Sequence, residues 1–430
     1  MQKLSISPAN QGLQGSIKIP GDKSISHRSI MFGSLASGKT VVRNFLNSED
    51  CNCTARAFQE MGLSIQGLGT EEIIIEGKGL KGLNEPASVL DMGNSGTSMR
   101  LMAGILAGQP FNSLMTGDKS LCSRPMNRII NPLSLMGAEI HGRQNDKYPP
   151  LAVIGHSLKG IHYDSPVASA QVKSSILLAG LYAEGTTSIV EPSLSRDHTE
   201  RMIKYLGGKI LIEGTKVSIT SDQDLKGREI IVPGDISSAA FFMAAGIMVP
   251  DSHLVLLNVG INPTRTGILD ALQMMGVEMG VLNQRGGEWE PSADLVIKSC
   301  PLKAAEFAGD LIPRIIDEIP ILAVLATQAE GETVIRDAGE LRVKESDRIK
   351  TTTQVLTQMG ANITELDDGM VIKGPVKLKG TLVESFGDHR IAMSMAVAGL
   401  IASGETTIFN TDCINTSFPE FSELMDSINK

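Results

Sequence analysis

The chain has 430 residues, 42% of them hydrophobic and 20% charged, enough apolar material for two or three cores and too mixed a composition for disorder. A formal net charge of −9, with no run of Lys and Arg interleaved with aromatics, excludes nucleic acid; small anionic ligands would need a local cluster of cations. The N-terminus lacks a basic start followed by an apolar run, and the longest apolar stretch, AAFFMAAGIMVP, is too short to span a bilayer, so no membrane partner and a soluble, cytoplasmic protein are expected.

In chain order, the first candidate site is GDKSISHR, Gly21 to Arg28, where a glycine-led turn and serines run into an apolar helix. Free backbone N–H groups would face an anion there, with Lys23 and Arg28 adding full charges; the stretch also fits a plain N-cap with two solvated cations. The five cysteines are odd in number and irregular in spacing, which predicts reduced thiols. Cys51 and Cys53 have no His or second Cys pair beside them, which predicts buried thiols and no zinc site. GNSGTSMRL, Gly93 to Leu101, opens a second helix with two glycines, small hydroxyls and Arg100, and lets backbone approach a phosphate or carboxylate. That loop contains neither GxGxxG nor GK[ST], so it is not itself a dinucleotide or P-loop signature.

Further on, GDKSLCSRPMNR sets Arg124 before Pro125, whose fixed backbone either aims the guanidinium or leaves it on a surface turn. SPVASAQVKSSILLAG puts Ser169 and Gln171 at another helix entrance, as readers of a phosphate or hydroxyl or as simple caps. IDEIPILAV sets Asp317 and Glu318 directly before an apolar helix, where burial and the helix dipole act on a carboxylate in opposite senses and either tunes it as a base. LRVKESDRI packs Lys344, Glu345, Asp347 and Arg348 into five residues, a pattern that also fits a solvated charge ladder. GDHRIAMS places Arg390 at a last helix entrance.

These motifs ride on an internal repeat. A block ending in Met-Gly or Leu-Gly recurs with its glycines at 62, 137, 207, 276 and 360, each followed by a strand-like run and a Leu-Lys pair. The leucines stand at 80, 158, 225, 302 and 378, with gaps of 78, 67, 77 and 76 residues; a sixth copy is truncated at the C-terminus. Upstream of each block a small-residue helix ends at a glycine, read as its left-handed cap, and enters a β-branched strand, as in MFGSLASGKTVVRNF and AVAGLIASGETTIFN. Each unit reads strand, helix, strand, helix, strand, strand, an α/β layer pattern. VPGDISSAAFFMAAGI repeats the device of IPGDKSISHRSIMFGSL 213 residues later, about three periods. That predicts two domains of three units, residues 1–21 with 235–430 and residues 22–234, with a hinge at the two crossings and the ligands in a cleft there.

With these residues in view the chain resembles the 5-enolpyruvylshikimate-3-phosphate synthase family across essentially its full length. GDKSISHR, GNSGTSMR, RPM, SAQVKS, SRDHTE, PTRTG, DEIPILAV, RVKESDR, DHRIAMS and SFPEF fall in that family's order and spacing. The resemblance implies an α/β, two-domain enolpyruvyl transferase fold, each domain three βαβαββ repeats around a pseudo-threefold axis. It implies transfer of the enolpyruvyl group of phosphoenolpyruvate to the 5-hydroxyl of shikimate-3-phosphate by addition and elimination, a shikimate-pathway step, by a monomer with no metal or organic cofactor. Glyphosate would bind in the phosphoenolpyruvate site.

By the same resemblance, Lys23, Ser24, Arg28, Ser169, Ala170, Gln171, Arg196, Asp317 and Lys344 would hold shikimate-3-phosphate. Lys23, Gly96, Thr97, Arg124, Gln171, Arg348 and Arg390 would hold phosphoenolpyruvate. Asp317 would be the general base on the 5-hydroxyl and Glu345 the proton donor to the methylene carbon, with Lys23 completing the catalytic set. One position departs: many family members carry a lysine where Thr416 stands here, so a cation near the phosphate is missing or replaced. The nearest rival, UDP-N-acetylglucosamine enolpyruvyl transferase, has a cysteine where this chain has Lys119, and Cys122 is out of register. A silent binder of phosphorylated metabolites would lack carboxylates such as Asp317 and Glu345, and both are present.

Overall fold

The computed structural model describes residues 2–286 and 289–429. The chain packs as two compact units, one made of Met1–Pro20, Pro233–Gly287 and Pro291–Lys430, the other of Gly21–Val232 with Glu288–Glu290. That last stretch has no counterpart in the sequence expectation. Trp289 belongs to the second unit because its ring packs on Tyr205, centroids 4.7 Å apart, and its indole N–H donates to the Ile231 carbonyl. Each unit has its own apolar core. Among the described residues no helix is long and apolar enough to cross a membrane.

The second unit carries helices α1 (Lys23–Leu35), α2 (Glu49–Glu60), α3 (Gly96–Ala107), α4 (Asn127–Leu135), α5 (Ala170–Gly180) and α6 (His198–Tyr205). The first carries α7 (Ile236–Met248), α8 (Gly267–Met274), α9 (Ile319–Ala326), α10 (Arg348–Gln358), α11 (His389–Ile401) and α12 (Phe421–Ile428). The odd-numbered helices are buried nearly all round; every residue of α9 is buried, as is all of α7 except its last. A helix apolar on every side belongs inside a core, and small residues let such helices approach closely. A Cβ on Gly104 of α3, for instance, would collide with the Ser175 carbonyl of α5.

Each repeat also contributes one sheet with a fixed order. Leu90–Asp91 runs parallel to Ser113–Thr116, which pairs antiparallel with Tyr148–Ile154, which pairs antiparallel with Glu139–Gly142. The two sequence markers now have physical meanings. The repeat glycines follow the ends of α2, α4, α6, α8 and α10, all with φ between +85° and +94°, a conformation glycine adopts without a Cβ clash. The next N–H then reaches back to the carbonyl of the third-last helical residue, as Leu63 N–H to Phe58 O and Ala361 N–H to Leu356 O do. The lysine of the Leu-Lys pair bridges in parallel to the approach of another strand, as Lys159 to Glu184 and Lys379 to Ser403 do, while leucines such as Leu158 and Leu378 are buried beneath.

Two sequence expectations change. The sixth sheet is not simply truncated: Leu382–Glu384 pairs parallel with Thr406–Phe409, and the N-terminal strand Lys3–Ile6 joins the other side of Thr406–Phe409 antiparallel. The glycines after α1 and α11 do not cap those helices; Ala36 and Ala402 end them in extended conformation, and Gly38 and Gly404 turn the chain two residues later. The strands before the two Pro-Gly-Asp turns each pair within the unit they leave. Gln14–Lys18, which leads into α1, pairs with His253–Gly260 of the first unit, and Glu229–Ile231, which leads into α7, pairs with Ser37–Arg43 of the second.

Candidate active site

Every motif singled out in the second unit lies at a helix entrance, where backbone N–H groups lack intrahelical partners. Asp22 caps α1 by accepting the Ile25 N–H at 2.8 Å, which leaves Lys23 at the first turn with its Nζ 2.5 Å from Asp50. Arg28, one turn on, is buried: its Nε donates to Thr199 Oγ1 at 2.8 Å, its Nη2 to Ser174 Oγ at 2.8 Å and its Nη1 to the Ser24 carbonyl at 3.0 Å. Burial pushes its pKa down to about 10, with Glu200 pulling the other way and the Arg196 charge adding to the depression.

At the entrance of α3, Ser95 accepts the Ser98 N–H, and Gly96 and Thr97 begin the helix. Gln171 of α5 donates to Thr97 Oγ1 at 3.1 Å and accepts from Arg100 Nη1 at 2.6 Å, so two inner-helix entrances are joined through one amide. Arg124 folds beneath the same loop, donating to the Asn94 carbonyl at 3.2 Å and to Asn94 Oδ1 at 2.6 Å; it is buried, not a surface turn residue. Ser169 precedes Ala170 at the start of α5, yet its hydroxyl makes no cap bond, so simple capping does not describe it.

In the first unit the predicted carboxylates and cations converge. Around the Asp317 carboxylate stand Arg348 Nη1 at 3.3 Å, Arg390 Nη2 at 3.8 Å, Lys344 Nζ at 3.9 Å and Arg265 Nη1 at 4.0 Å. Arg390 Nη1 also donates to the Asp317 carbonyl at 3.0 Å. Arg348 is 1% exposed and spans three carboxylates: Nε to Asp388 Oδ2 at 2.8 Å, Nη2 to Glu345 Oε2 at 2.5 Å, and Nη1 to Asp317. A solvated ladder is therefore not what KESDR makes. Burial alone would lower the Arg348 pKa, but Asp388, Glu345 and Asp317 outweigh it and hold the guanidinium firmly charged. Asp388 in turn stays below the usual carboxylate range because Arg348 overcomes its burial, and it also caps α11 through the Arg390 N–H at 2.9 Å.

Arg265 escaped the sequence reading although a signal existed. It lies eleven residues before its repeat glycine, Gly276, as Arg196 lies eleven before Gly207. It is buried and donates to Asp235 Oδ1 at 3.3 Å and Ser237 Oγ at 2.6 Å, and Ser237 donates to Glu318. Thr416, at the position where a cation was expected, donates its hydroxyl to the Cys413 carbonyl at 2.7 Å and closes its own turn. Phe418 and Phe421 of SFPEF are core residues, packed on Phe242 with centroids 5.9 Å away.

The five cysteines are free, and Cys51 is buried with its thiol pushed up to about 12 by that burial. Lys119 and Cys122 line a cavity of about 590 Å³ in the second unit with Arg143 and Tyr148, and the Cys122 thiol donates to the Gly117 carbonyl at 3.3 Å. Among the described residues, Asp197, His198 and Glu290 are the one group whose ligand atoms cluster closely enough for a metal. Arg201 already sits on Asp197 at 2.8 Å and His198 on Glu290 at 2.7 Å.

Comparison with known proteins bears on this arrangement. Residues 8–425 match the sequence model of a family described as EPSP synthase (3-phosphoshikimate 1-carboxyvinyltransferase). A 3-phosphoshikimate 1-carboxyvinyltransferase of Brevibacillus brevis is 54% identical over 427 residues, 99% of this chain and 100% of that protein. One of Geobacter sulfurreducens is 55% identical over 428 residues, 100% of this chain and 99% of that protein. The solved EPSP synthase of Acinetobacter baumannii superimposes with a TM-score of 0.89 at 50% identity, covering 100% of this chain and 98% of its own. The enolpyruvyl transferase NikO of Streptomyces tendae shares the fold, with a TM-score of 0.79 at 18% identity, covering 99% of this chain and 97% of its own.

Proposed function

The chain belongs to the EPSP synthase (3-phosphoshikimate 1-carboxyvinyltransferase) family, so it is an enzyme that transfers the enolpyruvyl group of phosphoenolpyruvate to the 5-hydroxyl of shikimate-3-phosphate, and we propose that its helix-entrance residues divide the work as follows. The entrances of α1, α5 and α6 hold shikimate-3-phosphate through Lys23, Ser24, Arg28, Ser169, Ala170, Gln171 and Arg196, with Lys344 and Asp317 engaging it from the first unit. Lys23, Gly96, Thr97, Arg124, Gln171, Arg348 and Arg390 take the carboxylate and phosphate of phosphoenolpyruvate. Helix N-termini and fixed guanidinium groups suit these anions because both present donors without reorganising.

Asp317 removes the proton of the 5-hydroxyl, and the oxygen adds to C2 of phosphoenolpyruvate while Glu345 delivers a proton to C3. The resulting ketal phosphate loses inorganic phosphate as a proton leaves the new methyl group, which restores the double bond in the product. The observation that carries this reading is the Asp317 carboxylate ringed by Arg265, Lys344, Arg348 and Arg390, with Glu345 on the same Arg348. Phosphoenolpyruvate anions arriving at Arg348 compete with Glu345 for that guanidinium, which releases Glu345 to carry a proton. The reading extends to a cytoplasmic enzyme, supported by the free thiols, and to glyphosate as a competitor of phosphoenolpyruvate.

The chemistry is tested by running the reaction in D2O. Protonation at C3 by an exchangeable group, followed by loss of one of three methyl hydrogens, puts deuterium into the product's vinyl methylene in a fraction of turnovers. Product free of deuterium after many turnovers contradicts the addition step.

A further inference from the structure

The second unit buries a cationic and anionic cluster that the mechanism above does not use. Lys173 of α5 is 1% exposed, and its Nζ lies 2.8 Å from Glu191 Oε2 and 2.8 Å from Glu200 Oε1. Burial acts to lower its pKa, but the two glutamates outweigh that and hold the ammonium charged. Both glutamates are themselves buried, and burial pushes the Glu200 carboxyl up against the pull of Lys173, so the group packs one ammonium and two carboxyl groups away from water. Such clusters are poor stabilisers compared with well-packed apolar side chains, because removing charges from water offsets most of their attraction. Stability alone therefore gives little reason for this one.

Its connections give a better reason. Glu191 Oε1 accepts the Ser169 N–H at 3.0 Å, and Glu191 Oε2 accepts the Ser195 hydroxyl at 2.9 Å. Lys173 also donates to the Ser195 carbonyl at 3.4 Å. One carboxylate thus ties the residue before α5 to the residue before Arg196. The neighbours of Lys173 and Glu200 in sequence, Ser174 and Thr199, are hydrogen-bonded to each other at 2.7 Å and both accept from Arg28. Ser169, Arg196 and Arg28 are three of the groups read above as holding shikimate-3-phosphate, and each is anchored on this cluster or beside it.

We propose that Glu191, held by Lys173, which Glu200 holds in turn, is a positioning residue that sets the spacing of Ser169 and Arg196 and so determines affinity for the phosphorylated acceptor. It rests on the reading that those two residues bind shikimate-3-phosphate. Glu191→Gln keeps the shape and one acceptor but removes the charge that Lys173 pairs with. The Michaelis constant for shikimate-3-phosphate should rise about ten- to hundredfold, as expected for a lost charge-assisted hydrogen bond, while that for phosphoenolpyruvate stays within about twofold and kcat within about threefold. Ser195→Ala removes a single link and should show the same selectivity at about three- to tenfold; it carries the test if Glu191→Gln does not fold. Arg196→Met is the control for the underlying reading. If Arg196→Met weakens shikimate-3-phosphate and the folded Glu191 and Ser195 variants do not, or if they raise both Michaelis constants together, the positioning role is overturned. If Arg196→Met leaves acceptor affinity intact, the binding assignment falls and the positioning role with it.

Discussion

Asp317 is one carboxylate with four cationic neighbours, and those neighbours reach it from the entrances of α8, α10 and α11 and from the loop before α10. Asp317→Asn keeps the shape and removes the proton acceptor, so kcat should fall by roughly two to four orders of magnitude. Shikimate-3-phosphate should still bind, because the cations that face anions remain; near-normal turnover in the purified variant would remove Asp317 from its role. Gly96 offers a second test. A Cβ there would lie 2.9 Å from Arg100 Nη1 and 3.4 Å from Arg124 Nη1, so a methyl group must displace the guanidinium that is bonded to Gln171. Glyphosate is longer than phosphoenolpyruvate and should feel that crowding more. Gly96→Ala should raise the glyphosate inhibition constant about ten- to hundredfold and the phosphoenolpyruvate Michaelis constant by clearly less. Equal changes in the two constants would show that Gly96 does not control that space. At this scale the sequence identified the residue types but not their surroundings. KESDR reads the same whether Arg348 is solvated or holds three buried carboxylates, and only packing decides.

The elements that matter most are the inner helices, and their entrances were legible because small residues, hydroxyls and Asp before an apolar run are the signature of a capped, buried helix. What local pattern could not show is which cap residues have other tasks. Asp388 both caps α11 and holds Arg348, whereas Ser169 leaves its helix uncapped by side chain. A strand pair makes a separate prediction. Asp294 on Ser292–Lys298 takes the Arg285 guanidinium at 3.1 Å, the Asn258 N–H at 2.8 Å and the Asn283 amide at 2.8 Å, and the Arg285 bond above all holds its carboxyl down at about 2. An unfolded Asp titrates near pH 4, about two units higher, so the folded state binds fewer protons in between. The stabilisation is present above about pH 4 and is lost as pH falls through about 2. Asp294→Asn should cost about 1 kcal/mol at pH 7, less than the shift alone would give because Arg285 is half exposed. In chemical denaturation its deficit against the parent should shrink between about pH 4 and pH 2; a deficit independent of pH would contradict this.

For the whole molecule, periodicity was the strongest signal, because the same helix-ending glycine and the same buried leucine recur at near-constant intervals and each has a local physical cause. The strand partners at the two crossings were less legible. Gln14–Lys18 and Glu229–Ile231 precede the same Pro-Gly-Asp turn, and nothing local says which strand each short segment pairs with. Nor did the period show that Lys3–Ile6 would complete the sixth sheet, a pairing across some 400 residues of sequence. The most direct measurement is phosphate release when the purified protein is mixed with its substrates. Phosphate should appear with phosphoenolpyruvate and shikimate-3-phosphate together, at one equivalent per enolpyruvyl product, and with neither alone. Release with UDP-N-acetylglucosamine in place of shikimate-3-phosphate, or no release with the full pair, would contradict the assignment.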